Sequence, residues 1–145
     1  MKIVKKVAGI ISNQDWKILV FREFSKKREG FFFNIVKWTV EDTDIDFYTT
    51  LQREIFEETN LVDAVIGKLF DLVVKIDNDI VNLLLVFEVI LEENQSNIGN
   101  KNNIADESIK DYKWINKNDF LSIEADNFID NRIYTVLLKF FSYQK

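Results

Sequence analysis

Cysteine and histidine are both missing from the 145 residues of this chain, and so is proline. Without cysteine there are no disulfides, no thiolate metal sites and no cysteine nucleophile. Without histidine there is no imidazole zinc site and no Ser-His or Cys-His catalytic pair. Any chemistry must therefore come from carboxylates, amines, hydroxyls or a bound metal ion.

Long apolar runs are missing too. The run Leu83–Leu91 is interrupted by Glu88, and the chain does not open on an apolar stretch with a cleavage site. A bilayer span needs about 20 apolar residues, so we predict a soluble, cytoplasmic protein with no membrane partner. The net charge of −5 argues against broad binding to nucleic-acid backbones, and the acidic clusters point to hard cations instead.

Apolar residues are plentiful by contrast. They make up 47% of the chain and include 13 Phe and 3 Trp, which is ample for one core of ordinary size. The sequence shows no repeat and no Pro-rich or Gly-rich linker. We therefore predict a single mixed α/β domain over residues 1–145.

The first third of the sequence has the pattern of β-strands. Lys2–Ile11 and Trp16–Phe24 are rich in Val, Ile and Phe. The polar residues 12–15 between them are typical of a turn, so the two segments predict a hairpin. The short aromatic run Phe31–Val36 predicts a third strand.

A helix is predicted next, because Phe47, Leu51 and Ile55 recur every four positions. Asp46 is the favoured N-cap of this helix, since its carboxylate can accept from the first free N–H groups. The helix is predicted to end at Asn60, a residue type that tolerates the left-handed conformation.

The second half predicts another hairpin, Leu69–Ile76 and Ile80–Ile90, around an Asn-Asp turn. Glu92–Asp106 offers little to bury and is predicted to be a loop, either a lid or a surface excursion. Lys110–Ile115 predicts a strand. A closing amphipathic helix is predicted from apolar residues at helical spacing: Phe128, Ile129, Ile133, Val136, Leu137, Phe140 and Phe141.

Three carboxylates fall on one face of the first helix. Glu54, Glu57 and Glu58 stand at i, i+3 and i+4, so they repel one another close to the negative end of the helix dipole. Mg²⁺ would relieve the repulsion, because it takes carboxylate, water and phosphate oxygens as ligands. Arg53 can then tether Glu57 one turn later. The alternative is an ordinary solvated, Glu-rich helix face.

The sequence around these carboxylates resembles the second half of the Nudix box, Gly-x5-Glu-x7-Arg-Glu-U-x-Glu-Glu-x-Gly-U, where U is aliphatic. The matching segment is Arg53-Glu54-Ile55-Phe56-Glu57-Glu58-Thr59-Asn60-Leu61, in which only the final Gly differs. The order of predicted elements along most of the chain is also similar to that family. The resemblance implies a Nudix-like α/β/α sandwich with a mixed β-sheet.

The first half of the box is degenerate. Aligned without a gap, the family's Gly falls on Thr39 and its first Glu on Ile45, and the usual Pro-Gly-Gly becomes Lys37-Trp38-Thr39. A one-residue bulge would instead bring Asp44 to the position of the first Glu. Both alignments stay open on the sequence alone.

The resemblance implies a hydrolase that cleaves the diphosphate of a nucleoside diphosphate linked to another group. By match to the motif, Glu54, Glu57 and Glu58 are the expected ligands of Mg²⁺, or of Mn²⁺, and Arg53 is their orienting partner. The general base is either a box glutamate such as Glu57 or a later loop carboxylate, for which Glu107 is the candidate. The alternative for Glu107 is a surface acid.

Four residues are predicted to contact the substrate: Arg22, Lys26, Phe32 and Trp38. Lys26 lies in a charged loop, which is more often simply solvated. Phe32 belongs to an aromatic strand whose rings are more often core, and Trp38 either stacks on the substrate or obstructs it. Loss of the motif Gly and Glu leaves a second function open, a nucleotide-binding or protein-interaction module, and a homodimer is also open.

Overall fold

The computed structural model describes residues 1–41, 46–62, 64–91 and 108–144. Its elements, in chain order, are β1 (Lys2–Ser12), β2 (Ile18–Ser25), β3 (Gly30–Asn34), β4 (Val36–Thr39), α1 (Phe47–Thr59), β5 (Ala64–Asp77), β6 (Ile80–Leu91), β7 (Ile109–Ile115), α2 (Lys117–Leu121), a 3-10 turn (Ala125–Asn127) and α3 (Asn131–Ser142). The predicted loop at 92–106 and the residues Asp44, Ile45 and Glu107 lie outside the described residues. No helix within the described ranges is long and apolar enough to cross a membrane.

The strands form one mixed sheet with β1 near its centre. Neighbouring strands follow the order β3-β2-β1-β6-β5, while β4 also pairs with β1 and β7 with β2. β1 runs parallel to β6 from Lys2 to Ser12 and antiparallel to β4 from Lys6 to Gly9. A strand that is paired on both sides and covered on both faces should be a continuous apolar run, as residues 7–11 are.

Side chains alternate between two cores, one on each face of the sheet. Val7 and Ile11 of β1 point to the face covered by α1, where Leu51 and Ile55 pack against them. Ala8 and Ile10 point to the opposite core, which is closed by α3. The arrangement is an α/β/α sandwich with a mixed sheet, so the predicted fold class is confirmed.

Helix α1 lies close to β1 because Gly9 has no side chain. A Cβ at Gly9 would stand 3.0 Å from Val89 Cγ2 and 3.7 Å from Leu51 Cδ1. The helix begins where the Asp46 carboxylate accepts from the Thr49 N–H at 2.7 Å. It ends at Asn60, whose φ of 62° is left-handed and whose N–H donates to the Phe56 carbonyl. Both predicted helix ends are confirmed.

The predicted first hairpin is confirmed only next to its turn. β1 and β2 pair only at Ser12 and Ile18, after which β2 turns away to lie between β3 and β7. The polar turn itself forms, with Asn13 Oδ1 accepting from the N–H groups of Asp15 and Lys17. The two strands diverge because β4 pairs with the edge of β1 that faces β2, while β6 pairs with the opposite edge.

The predicted third strand, Phe31–Val36, is two strands. β3 pairs with β2 and β4 pairs with β1, and the chain crosses between them at Ile35, whose N–H donates to Asn34 Oδ1. The predicted closing helix begins later than expected, at Asn131, because Asp130 caps it and Phe128 and Ile129 precede the cap. The second hairpin is confirmed, with Asn78 in its turn at a φ of 50°.

Candidate active site

The three box carboxylates lie on the C-terminal half of α1 and differ in exposure. The Glu54 side chain is 6% exposed and that of Glu57 is 48% exposed. Glu58 is half-buried, and its Oε2 is shielded from solvent. Arg53 lies between two of them, with Nη2 3.8 Å from Glu54 Oε1 and Nε 3.9 Å from Glu57 Oε1. The contact between Arg53 and Glu57 is the one expected from their spacing.

The last turn of α1 is fixed by a residue that the sequence argument missed. The Tyr112 hydroxyl donates to the backbone carbonyl of Glu58, and its ring lies 5.6 Å from that of Phe21 in β2. This contact ties the carboxylate-bearing turn to β7 and β2. Nothing local marks Tyr112, because the contact joins residues far apart in the sequence.

The donor set fits a hard divalent cation. All the donors on this face of α1 are carboxylates, which suit Mg²⁺ or Mn²⁺. A buried carboxylate such as Glu54 is costly without a compensating positive charge. Among the described residues no group of three or more acidic side chains is placed to hold a metal ion. Mg²⁺ typically uses one or two carboxylates together with water and substrate phosphate, so a preformed cluster of three is not required.

Arg22 forms an ion pair with Asp111, a second residue that the sequence patterns did not indicate. Arg22 Nε donates to Asp111 Oδ2 at 2.8 Å, and Nη2 donates to the same oxygen. This hydrogen bond lowers the pKa of the Asp111 carboxyl. Asp111 has a left-handed φ of 57° at an irregularity where β2 and β7 shift register. A substrate contact by Arg22 stays a prediction, and it requires Arg22 to share or leave Asp111.

The other predicted substrate residues are dispersed. Lys26 is exposed in the turn between β2 and β3. One face of Phe32 is covered by Arg28, whose Cζ lies 3.7 Å from the ring centroid. Arg28 also donates at 2.6 Å to the carbonyls of Asp126 and Phe128, so it fastens the turn to the segment before α3.

Trp38 is half-buried against the core on the α1 side. Its indole Nε1 is buried, and no hydrogen-bond acceptor reaches it among the described residues. A buried N–H without an acceptor is unusual for Trp. The role of Trp38 toward substrate stays a prediction.

A polar group on the opposite face of the sheet was also missed. Burial lowers the pKa of the Lys37 ammonium, the positive charge of Lys6 lowers it further, and Asp130 opposes both. On the α1 face, Asn34 is buried opposite Phe21 and donates to Glu23 Oε2 at 3.3 Å. The signal available in the sequence was Lys37 itself, a cation inside an apolar strand.

Asp130 is the acid of this group with the most strongly shifted pKa. Burial opposes its ionisation, but hydrogen bonds from the side chain and backbone of Arg132 outweigh burial and lower the pKa to about 2. The Arg132 Nη2 to Asp130 Oδ2 distance is 2.6 Å. The folded state therefore favours the ionised carboxylate.

This shift predicts a loss of stability in acid. The ionised Asp130 carboxylate contributes about 1–2 kcal/mol to the free energy of unfolding. This contribution is complete above the pKa of the unfolded state, near 4, and is lost as the pH falls towards 2. Asp130→Asn should therefore lower the free energy of unfolding at pH 7 and flatten its dependence on pH between about 4 and 2. Urea unfolding over this range measures both, with the exposed Asp126→Asn as the control. An unchanged pH dependence in Asp130→Asn would contradict the assignment.

Comparison with known proteins agrees with this geometry. The family model described as NUDIX domain matches residues 2–137. No curated protein sequence matches the chain. A solved NUDIX hydrolase from Nitrosomonas europaea is similar over 99% of this chain and 92% of its own, with a TM-score of 0.77 at 16% identity.

Two further structures share the fold. A C. elegans Ap4A hydrolase, solved as a binary complex, aligns over 97% of this chain and 96% of its own, with a TM-score of 0.68 and 14% identity. The NUDIX domain of Shewanella oneidensis NrtR, solved with ADP ribose, aligns over 96% and 88%, with a TM-score of 0.69 and 15% identity. The family match covers most of the chain, and the chain belongs to the NUDIX family.

Proposed function

We propose that this protein is a divalent-metal-dependent hydrolase that cleaves the diphosphate of a nucleoside diphosphate linked to another group. The observation that carries the proposal is the placement of Arg53 between Glu54 and Glu57 on the turn of α1 that Tyr112 anchors. These residues resemble the second half of the Nudix box, and membership of the family supports the proposal. Carboxylates beside a guanidinium are suited to holding a cation against phosphate oxygens.

In this proposal Glu54, Glu57 and Glu58 hold Mg²⁺ or Mn²⁺. When bound, the ion neutralises the non-bridging phosphate oxygens and acidifies or orients a water molecule. Arg53 would orient the Glu57 carboxylate, and their contact of 3.9 Å supports this role. Either Glu57 or Glu107 takes the proton from the attacking water.

Positively charged and aromatic side chains are assigned to substrate binding. Arg22 and Lys26 are assigned to phosphate, and Phe32 and Trp38 to the nucleobase or the linked group. Phe32 has one face taken by Arg28, so stacking would use the other face. Arg22 follows Phe21 in β2 and pairs with Phe33, so its side chain starts on the face of the sheet opposite α1, and its assignment to phosphate rests on its positive charge.

A second candidate function is a catalytically impaired module that binds a nucleotide or a protein partner. It is favoured by the degenerate first half of the box, where Thr39 and Ile45 replace the motif residues. It is also favoured because no ready-made group of three acids exists within the described ranges. The NrtR NUDIX domain solved with ADP ribose is a related fold that binds such a molecule.

Two measurements on one panel of compounds separate the two functions. Nucleoside triphosphates, nucleotide sugars, dinucleoside polyphosphates and ADP ribose are incubated with the protein and Mg²⁺ or Mn²⁺, and products are separated by chromatography. The hydrolase should release two phosphate-containing products from at least one compound only with metal. If calorimetry shows that a compound binds and none of the compounds is cleaved, the protein is instead the binding module. We also propose that the protein is cytoplasmic, which cell fractionation tests.

A further inference from the structure

Strand β5 forms one edge of the sheet and exposes aliphatic side chains. It pairs with β6 on one side, and no described strand lies on its other side. Leu72, Val74 and Ile76 are 49%, 53% and 65% exposed. A long edge strand with exposed aliphatic residues is prone to pair with another strand, and folded proteins usually protect such edges.

These three side chains lie on one face of the sheet. Leu72 is opposite Leu85, which packs against the core on the α1 side, whereas Val73 packs against the core on the α3 side. Because side chains alternate, Val74 and Ile76 share the face of Leu72. Asp71 and Lys75 share the other face, and Asp71 Oδ1 lies 3.2 Å from Lys139 Nζ of α3.

The sequence of β5 is complementary to itself in one antiparallel register. In a two-fold pairing of identical strands, residues directly opposite each other share a face. Centring the pairing on Val73 places Leu72 opposite Val74 of the second copy and Asp71 opposite its Lys75. Each of these pairs occurs twice. Cross-strand pairs of aliphatic residues and of opposite charges stabilise a sheet.

Neighbouring registers lack this match. Centring on Val74 places Asp71 opposite Asp77, and centring on Lys75 places that lysine opposite itself. Centring on Ile76 restores an opposite-charge pair, but it pairs only the residues at the tip of the strand. The register about Val73 alone combines opposite charges with aliphatic pairs along residues 71–75.

We propose that two copies of this chain associate through antiparallel pairing of residues 71–75 of β5, which joins their sheets into one. The existing contacts of Asp71 with Lys139 at 3.2 Å and of Lys75 with Asp77 at 3.6 Å are partly exposed ion pairs and rearrange easily. The association uses none of the residues assigned to metal or substrate, so it is independent of the proposed function.

The test is a pair of charge reversals read by light scattering after size exclusion. The unmodified protein should have twice the mass of one chain at micromolar concentration. Asp71→Lys places lysines opposite each other, and Lys75→Asp places aspartates opposite each other, so each variant alone should be monomeric. An equal mixture of the two variants should recover the dimer, because both cross-strand pairs are then of opposite charge.

A control separates association from damage to the fold. Val74→Lys should also give a monomer, while Leu121→Lys on α2, an aliphatic residue of similar exposure, should stay dimeric. If Asp71→Lys fails to fold because the new lysine lies beside Lys139, the comparison of Val74→Lys with Leu121→Lys decides whether β5 forms the interface. A monomeric unmodified protein, single variants that stay dimeric, or folded variants that do not recover the dimer on mixing would overturn the proposal.

Discussion

Glu57→Gln and Glu58→Gln together should abolish Mg²⁺ binding and reduce hydrolysis on the order of 10²–10⁴-fold. The substitutions keep the shape of both side chains but remove the charges that would hold the ion. Isothermal titration measures the binding, and product release measures the rate. The matched control is Glu29→Gln with Glu124→Gln, which removes the same charge from two exposed glutamates away from α1.

The same double variant should fold at least as well as the unmodified protein when metal is absent. Glu57 is half-exposed and stands near the negative end of the α1 dipole, so loss of its charge removes repulsion. Thermal unfolding with a chelator should therefore show an equal or higher midpoint. Added Mg²⁺ should raise the midpoint of the unmodified protein only. Equal metal binding by both proteins would refute the site.

Ile45→Glu should raise Mg²⁺ affinity and hydrolysis on the order of tenfold or more if the ungapped alignment of the box is correct. An aliphatic side chain at that position neither ligates the ion nor holds its water shell, and a carboxylate does. Calorimetric affinity and turnover with the best compound of the substrate panel measure the gain. Thr39→Gly is not expected to add to it, because Thr39 ends β4 opposite Lys6 and does not have a positive φ.

The bulged alignment gives the opposite result. In that case Asp44 already provides the carboxylate, so Asp44→Asn should cut activity sharply and Ile45→Glu should change little. The two variants together identify which residue stands at the first Glu of the box. If neither alters binding or rate while the protein binds a nucleotide without cleaving it, the hydrolase proposal fails.

Local signals predicted α1 well. The spacing of Phe47, Leu51 and Ile55, the capping carboxylate of Asp46 and the left-handed Asn60 are all properties of one short segment, and the structure confirms them. The contact of Arg53 with Glu57 follows from the same helical geometry. Features set within one turn of helix can be predicted from the sequence.

Features set by distant residues could not be predicted. The first hairpin is limited to the residues next to its turn because β4, which follows later in the chain, takes most of the edge of β1 that a hairpin partner would have used. The contacts of Tyr112 with Glu58 and of Asp111 with Arg22 depend on the pairing of β7 with β2. Helix α2 did carry a local signal that was missed, the capping box of Asn116 and Asp119.

The parallel pairing of β1 with β6 also governs the order in which this protein can fold. Lys2–Ser12 meets Ile80–Ile90, so the central strand of the sheet has no parallel partner until most of the chain has been made. Contacts between such distant segments require closure of a large loop before they contribute stability, which slows folding. During synthesis the edge of β1 that pairs with β6 therefore stays unpaired until β6 has left the ribosome, although β4 can pair with the other edge earlier.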